Sequence, residues 1–382
     1  MPTPFRLVAL ALLAAAPLAA QSVPRQTLTS PQLQLPESFD QVAGLRELQD
    51  GRLLIADRAA KTLWLVDVAR GTQQRVGREG SGPGEYQLPA ALVPLPGDTT
   101  LLVDPLQQRL LQILPSGAVG VQLQLPESIG LLSGVKGTDR MGRLYASGSP
   151  LRFGPTAAGA MPAPGLRADT IPILRWARTG TSLDTVAMVQ GALRDLRINR
   201  TGGNMSVMMR QQPYSAQDDW HVAPDGRVAV VRHQPYRVEW IGATTVVGPA
   251  VAWQPVKVTQ ADKDLIEAAQ RNPANRLSVS RGGPPPAGVR PPSAPAGATT
   301  YPATKPPFVE RTAIASPKGE LWVQRSVASG APTVYDVFDG QAKLVRQVQL
   351  PARARVVGFG AAGVYIARMD EDDLQWVGRY AY

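Results

Sequence analysis

The sequence predicts an all-β fold, a six-bladed β-propeller, from three observations. A pattern of turn, glycine and strand occurs six times, and three of the five spacings between these turns are close to the ~45 residues of one propeller blade. The stretch QLQLPES occurs twice, at residues 32–38 and 122–128, and its first copy precedes the first blade. The six turn glycines are Gly51, Gly97, Gly142, Gly226, Gly319 and Gly363.

Each glycine is expected to form the turn between the two inner strands of a blade. A tight hairpin needs positive φ at this point, and β-branched, aromatic or leucine residues follow each glycine. A second apolar run comes next, as at residues 62–68 and 236–242, and often a third, as at residues 119–126. With strands named a to d from the centre outwards, the a–b and c–d turns lie on one face of the ring. The b–c and d–a connections lie on the other face.

The first QLQLPES has no earlier blade to which it could belong. The last blade has only three strands of its own, over residues 355–360, 363–368 and 373–380. We therefore predict that Gln32–Leu35 supplies the missing outermost strand, which closes the ring and removes two exposed strand edges. The alternative is that the two copies are unrelated linkers between strands.

A glycine-rich segment lies between the first two predicted blades. Residues 77–89 read GxxGxGPGEYxxP, which resembles the inter-blade signature of six-bladed propellers of the NHL-repeat and TolB-like type, a family of secreted bacterial propellers. The strand pairs LLIADRAAKTLWLVD and LLVDPLQQRLLQIL fit the same family, and later blades fit it less closely. The resemblance implies the fold but no single activity, because such propellers serve as binding platforms, lactonases, lyases and sensors.

The glycines of this segment have a structural explanation. Residues 80–84 form a rigid, tight loop that Glu85 and Tyr86 can anchor to a neighbouring blade. The alternative is a phosphate-binding loop, which needs a helix after it, whereas a strand follows here.

The N-terminus has the features of an export signal over residues 1–20. Arg6 precedes an apolar core at residues 7–16, and a small-residue cleavage site lies near Ala20. The alternative is an uncleaved N-terminal anchor. We therefore expect a secreted or periplasmic protein with one propeller domain over residues 28–382.

Composition limits the chemistry and the partners. The chain has no cysteine, which excludes disulfides, thiolate metal sites and a cysteine nucleophile. Its formal net charge of +10 favours an anionic small molecule, a glycan, a lipid headgroup or an acidic protein surface as partner, rather than nucleic acid. The alternative is that the charge serves solubility alone. No other stretch is expected to cross a membrane, and a monomer is expected.

Three insertions are predicted to emerge on the same face of the ring, here called the insertion face. Residues 150–169 form a b–c loop, and residues 191–217 and 255–307 form d–a connections. In the third insertion, Thr259 and Asp262 form a predicted capping box for a helix over residues 261–271. The proline-rich segment 281–307 is expected to lack fixed structure.

The b strands end on the insertion face, and their last residues are the candidate binding residues. An aspartate there often caps its own hairpin. Arginines that converge at the channel mouth repel one another unless an anion or carboxylates neutralise them, and residues 370–372 are the nearest acids to the last arginine. The candidates are Asp57, Asp104, Arg232, Arg325 and Arg368, together with His233 on the turn after Arg232.

Catalytic motifs are missing from the sequence. Only two histidines, His221 and His233, are present, which excludes a multi-histidine metal centre but leaves room for one general base. His221 lies on an inner strand and is expected to be a core residue. The nearest approach to a calcium site is DEDD at residues 370–373, for which a solvated charged turn is the alternative.

The sequence therefore predicts a binding module that recognises an anionic ligand or partner on the insertion face. No catalytic residue and no cofactor are predicted. The alternative is a propeller-type hydrolase or lactonase with calcium or another divalent metal held by carboxylates at the channel mouth.

Overall fold

The computed structural model describes residues 23–126, 128–129, 134–148, 165–201, 204–271 and 299–382, so the predicted export signal lies outside the described residues. Six mainly antiparallel sheets follow one another along the chain, and the innermost strands of neighbouring blades pack around a centre. The protein is a six-bladed β-propeller, as the sequence predicts.

Blades one and two have four strands each and follow two short N-terminal strands. A small parallel pair, β7 and β8, lies between the two blades, and a single 3₁₀ turn at Pro96–Asp98 joins the inner strands of blade two. The strands in chain order are β1 (Arg25–Thr27), β2 (Leu33–Phe39), β3 (Val42–Glu47), β4 (Leu53–Asp57), β5 (Thr62–Asp67), β6 (Thr72–Arg75), β7 (Arg78–Glu79), β8 (Glu85–Tyr86), β9 (Ala91–Pro94), β10 (Thr100–Asp104), β11 (Arg109–Ile113) and β12 (Val119–Gln124).

Blade three has five strands, and blade four has four. Their strands are β13 (Val135–Thr138), β14 (Leu144–Ser147), β15 (Gly165–Trp176), β16 (Leu183–Thr201), β17 (Asn204–Gln211), β18 (Asp219–Val222), β19 (Val228–His233), β20 (Tyr236–Ile241) and β21 (Thr245–Val247).

Blades five and six follow the helix of the third insertion. Their elements are α1 (Gln260–Arg271), β22 (Ile314–Ala315), β23 (Leu321–Gln324), β24 (Val334–Phe338), β25 (Leu344–Gln349), β26 (Ala354–Phe359), β27 (Val364–Met369) and β28 (Gln375–Tyr380).

The N-terminal segment closes the ring. Strand β2 pairs antiparallel with β28, with Leu33 opposite Arg379 and Gln34 opposite Gly378, and it is the outermost strand of blade six. Leu35 is 2 % exposed and packs between blades six and one. The predicted closure is confirmed. Unexpectedly, β1 also pairs in parallel with β25, which gives blade five a fifth strand.

The core lies between the faces of neighbouring blades. Strand β4 is buried along its whole length, because a b strand has a blade on each side. Leu53 and Ile55 contribute to a cluster with Val357 and Tyr365 of blade six. The sequence of such a strand is therefore a nearly continuous apolar run and does not alternate between apolar and polar residues.

Five of the six turn glycines have the expected positive φ. The values at Gly51, Gly97, Gly142, Gly226 and Gly319 lie between 73° and 87°. Gly363 is the exception, since its φ is not positive, and the prediction is wrong at this position. A Cβ there would collide with the backbone oxygen of Tyr380, so close strand approach explains the glycine instead.

Glu85 and Tyr86 anchor the glycine-rich loop, as expected. The Gly82 N–H donates to Glu85 Oε2 at 2.7 Å. The Tyr86 hydroxyl is buried, donates to the Val76 carbonyl at 2.9 Å and accepts from the Leu63 N–H at 2.9 Å. These contacts join the loop to blade one, which supports its structural explanation.

The second insertion forms strands rather than the predicted d–a loop. Strand β16 continues to Thr201, and β17 returns beside it as a fifth strand of blade three. The extension pairs with residues 165–168, the end of the first insertion, so the two insertions satisfy each other's backbone groups. Gly191 permits this, because a Cβ there would lie 2.7 Å from the Ile171 side chain. Residues 150–164 lie outside the described residues.

The third insertion begins with the predicted capped helix. Thr259 Oγ1 donates to Asp262 Oδ2 at 2.8 Å, and the Thr259 N–H donates to the same oxygen at 2.9 Å. The end of the insertion returns to this helix, because Lys305 pairs with Asp262 and a bridge joins Lys257 to Thr304. Residues 299–307 therefore have defined contacts, and residues 281–298 of the proline-rich segment lie outside the described residues.

Candidate functional site

Asp57 and Asp104 anchor the loops that enter their own blades. Asp57 accepts the backbone N–H groups of Asp40 and Gln41 at 2.7 and 3.0 Å. Asp104 likewise accepts those of Gln87 and Leu88 at 3.0 and 3.2 Å. Both carboxylates are buried and engaged by backbone amides. Asp57 also accepts the Ala59 and Ala60 N–H groups of its own hairpin at 3.2 and 3.1 Å, which is the local capping that was the alternative. A ligand-facing role for the two aspartates stays a prediction.

Arg232 and His233 meet at one buried carboxylate, Asp218. Arg232 Nη1 lies 2.9 Å from Asp218 Oδ2, and its Nε lies 2.9 Å from Glu239 Oε2. His233 Nδ1 lies 2.8 Å from Asp218 Oδ1. Burial opposes ionisation of Asp218, but hydrogen bonds from His233, the Gln190 N–H and Arg232 outweigh it and lower its pKa to about 2.

This arrangement can hold an imidazole for proton transfer. An ionised carboxylate that accepts from Nδ1–H orients the His233 ring and leaves Nε2 available as a base. The sequence identified Arg232 and His233 but missed Asp218. The run DDW at residues 218–220 was the available signal, because it places two acids at the start of the inner strand β18.

Arg325 pairs with a carboxylate in its own blade. Its Nε lies 2.9 Å from Asp336 Oδ2, and Asp336 is completely buried. The same carboxylate accepts from the Tyr236 hydroxyl and from Gln347 Nε2, each at 2.8 Å. Burial, and then the neighbouring Asp336, raise the pKa of Tyr236 well above its ordinary value.

Arg368 differs from the two equivalent arginines. In blades four and five the carboxylate partner of the arginine lies on the neighbouring c strand and is Glu239 or Asp336. Each of these acids is opposite the b-strand residue that precedes the arginine by two positions. In blade six that position is Gly378. Arg368 is exposed, and within the described part of the chain its side chain has no hydrogen-bond or ion-pair partner.

The acids near Arg368 are largely engaged elsewhere. Asp370 Oδ2 accepts from Trp376 Nε1 at 2.6 Å, and Asp370 Oδ1 accepts the Asp372 N–H at 3.0 Å. Asp373 pairs with Arg353 at 2.6 Å. The structure therefore brings Arg232, His233 and Arg325 into intramolecular networks and leaves Arg368 outside them.

Two oppositely charged side chains lie at the insertion-face ends of neighbouring inner strands. Lys136 of blade three lies 2.9 Å from Asp219 of blade four. His221 lies on the same strand as Asp219, and burial, together with the nearby Lys136 charge, lowers its pKa to about 4. His221 is therefore a neutral structural residue, as expected, with Nδ1 2.9 Å from the Val222 carbonyl.

Arg355 is an inner-strand arginine that the sequence interpretation did not single out. It lies near the start of β26, and its Nη2 donates to the Val42 carbonyl and to Gln375 Oε1. Burial lowers the pKa of its guanidinium. The signal was the run PARARVV at residues 351–357, which places an arginine at the start of a strand that is otherwise apolar.

Across the described ranges, no three His, Asp or Glu side chains converge as a metal site would require. Asp370 of the DEDD segment is used within its own turn. No helix in these ranges is long and apolar enough to span a membrane.

The chain is similar to several solved structures at low sequence identity. No protein-family profile and no curated protein sequence matches the chain. A gluconolactonase from Xanthomonas campestris matches with 11 % identity and TM-score 0.42, over 94 % of this chain and 95 % of that one. Regucalcin, a calcium-binding protein from Agrobacterium tumefaciens, matches with 11 % identity and TM-score 0.46, over 94 % and 96 %.

A third solved structure is the PQQ-bound aldose sugar dehydrogenase from Streptomyces coelicolor, with 11 % identity and TM-score 0.42, over 93 % of this chain and 97 % of that one. These values provide no argument about activity. The strand order defines the class of protein as a six-bladed β-propeller. Its resemblance to the NHL-repeat and TolB-like type stays a prediction from the sequence.

Proposed function

We propose that this protein is an exported binding module that recognises an anionic ligand or partner on the insertion face. The supporting observation is the unpaired state of Arg368, which alone among three equivalent arginines has no carboxylate partner in the described part of the chain. An exposed guanidinium without a protein acceptor offers strong, charge-assisted hydrogen bonds to a carboxylate, sulfate or phosphate group.

Ring closure explains why Arg368 lacks a partner. Gly378 lies against the closing N-terminal segment, and a Cβ at this position would be 2.9 Å from the Pro31 side chain. A glutamate or aspartate therefore cannot replace Gly378 without displacing that segment. The blade that is closed by the N-terminus is also the blade whose arginine remains unpaired.

The sequences of the insertions contain an excess of positive charge. Residues 149–164 and 272–298 contain no aspartate or glutamate, and their arginines are Arg152, Arg276, Arg281 and Arg290. Such a charge distribution attracts anionic partners and speeds their association. Glu371 and Asp372 remain exposed on the turn beside Arg368 and oppose this attraction.

The proposal can be tested with fluorescein-labelled heparin, a sulfated glycan, by fluorescence anisotropy. We expect binding that weakens with added salt. The variant Arg368→Met should lower the affinity by about 5–10-fold, the loss expected for one charge-assisted contact. Replacing Glu371 and Asp372 together by Gln and Asn should raise the affinity.

Arg140→Met is the matched control. Arg140 is exposed on an a–b turn, and no hydrogen bond or ion pair involves its side chain among the described residues, but it lies on the opposite face. This variant should change the affinity by less than about 2-fold. Equal losses in the two variants would mean that heparin responds to net charge alone and would contradict a site at Arg368.

A further inference from the structure

Arg355 lies where the wall of the central channel meets the insertion face. It is the second residue of β26, the innermost strand of blade six, and it reaches Val42, the first residue of β3 in blade one. Both strands begin on the insertion face, since the d–a connections lie there. The guanidinium therefore lies at the mouth of the channel, between two blades.

The charge of Arg355 has no carboxylate to balance it among the described residues. Its contacts are two neutral acceptors, the Val42 carbonyl and Gln375 Oε1, the latter at 3.2 Å, and both are reached by the same nitrogen, Nη2. Nε and Nη1 of Arg355 have no protein acceptor in the described part of the chain. Neither nitrogen is fully buried, so solvent reaches both of them.

Such an arrangement is costly unless something neutralises the guanidinium. Burial disfavours the charged form, in agreement with the lowered pKa. An arginine that served only to tie blade six to blade one would be expected to have a carboxylate in reach, as Arg46 of blade one has Asp98 of blade two. A bound anion would supply the missing charge.

The other charged groups at this level limit the charge of the ligand. Lys136 is the inner-strand cation of blade three, and Asp219 already neutralises it at 2.9 Å. Among the charged residues at the starts of the described inner strands, Arg355 is therefore the one cation without a carboxylate partner. A monoanion matches it, whereas a phosphate dianion would keep an unbalanced negative charge in a partly desolvated place.

We propose that Arg355 binds the carboxylate of a small monoanionic molecule that enters the channel from the insertion face. The two available nitrogens donate to the carboxylate, while Nη2 stays tied to Val42 and Gln375. This site does not depend on Arg368. Arg355 is opposite Ala367 and Arg368 is opposite Ala354, so the two side chains project from opposite faces of the sheet.

The test measures the thermal midpoint of the mature protein in sodium acetate and in sodium chloride, at equal ionic strength and pH 7.5. Acetate should raise the midpoint of the wild type by about 2 °C more than it raises that of Arg355→Gln, because a ligand that binds only the native state stabilises it. For each protein, the thermal midpoint in chloride is subtracted from the midpoint in acetate. A lower overall stability of Arg355→Gln therefore does not affect the comparison.

Three further measurements make the result specific. Arg355→Lys keeps the charge and should retain at least half of the acetate effect. Arg368→Gln should retain all of it, which separates this site from the proposed binding face. Sulfate stabilises proteins non-specifically, so the comparison uses the difference between the wild type and Arg355→Gln, which should be smaller in sodium sulfate than in sodium acetate at the same ionic strength.

An acetate effect of equal size in the wild type and Arg355→Gln would overturn the site. Loss of the effect in Arg368→Gln would show that the two arginines form one site, against the inference. A difference between the wild type and Arg355→Gln as large in sulfate as in acetate would overturn the assignment to a monocarboxylate.

Discussion

Lys305 Nζ lies 2.6 Å from Asp262 Oδ1, and the two side chains are 8 % and 2 % exposed. The pair joins the end of the third insertion to the first turn of α1, and Lys305 also donates to the Val327 carbonyl at 2.8 Å. Burial opposes ionisation of Asp262, but the hydrogen bonds from Lys305 and Thr259 outweigh it and lower its pKa. The insertion is therefore fastened to the propeller at this point.

Lys305→Met should lower the free energy of unfolding by about 3–5 kcal/mol, because it leaves the Asp262 charge buried without a partner. Urea denaturation measures the loss. Lys257→Met, at an exposed lysine on the same insertion, should stay within about 0.5 kcal/mol of the wild type. A loss below 1 kcal/mol for Lys305→Met would mean that the insertion can detach freely.

Ring closure predicts a large effect of one residue in the N-terminal segment. Leu35→Ala should cost about 2–4 kcal/mol, since Leu35 packs between the last and first blades. Gln34→Ala, at the exposed neighbouring residue, is the control and should cost less than about 0.5 kcal/mol. Deleting residues 27–36 should cost more than Leu35→Ala, because it also exposes the edges of two strands.

Calorimetry checks these three proteins. If the deletion melted within a degree or two of the mature chain, the N-terminal strand would not be part of the cooperative ring.

Tyr86→Phe should destabilise the protein by about 1–3 kcal/mol. The substitution removes the hydroxyl that satisfies the buried Leu63 N–H and Val76 carbonyl. Tyr380→Phe is the matched control, because the Tyr380 side chain is also buried but its hydroxyl has no hydrogen bond among the described residues. Equal stabilities of the two variants by urea denaturation would contradict an anchoring role for Tyr86.

His221 predicts a dependence of stability on pH. Its pKa is about 4 in the folded protein, below the ordinary value near 6.5, so the unfolded chain binds the proton more readily. Its contribution to stability is complete above pH ~6.5 and is lost as the pH falls towards 4, by on the order of 2–3 kcal/mol.

Denaturation at a series of pH values between 6.5 and 4 tests this dependence. Carboxylates titrate mainly in the lower part of this range, so the change in stability in its upper part reports on the histidine. His221→Asn should flatten the slope between pH 6.5 and 4.5. An unchanged slope in this variant would assign the dependence to other groups.

The sequence by itself determined the number of blades, the closing strand and the positions of the candidate arginines. Glycine turns and apolar runs recur with each blade. Each glycine turn favours a tight hairpin and each apolar run favours a buried strand, so the same pattern gives the same local structure in every blade. The capping box at Thr259 and Asp262 is predictable for the same reason, since both partners lie within one helical turn.

Tertiary structure alone decided which of these residues are engaged. Arg232 and Arg325 look alike in sequence to Arg368, but each finds its carboxylate through the register of the next strand, and Gly378 leaves Arg368 without one. The strands formed by the second insertion arose from pairing between two insertions. The partial burial of Arg355 and its lack of a carboxylate partner in the described part of the chain result from the packing of blade six against blade one. These properties depend on contacts between segments that are distant in the chain, so the sequence does not predict them.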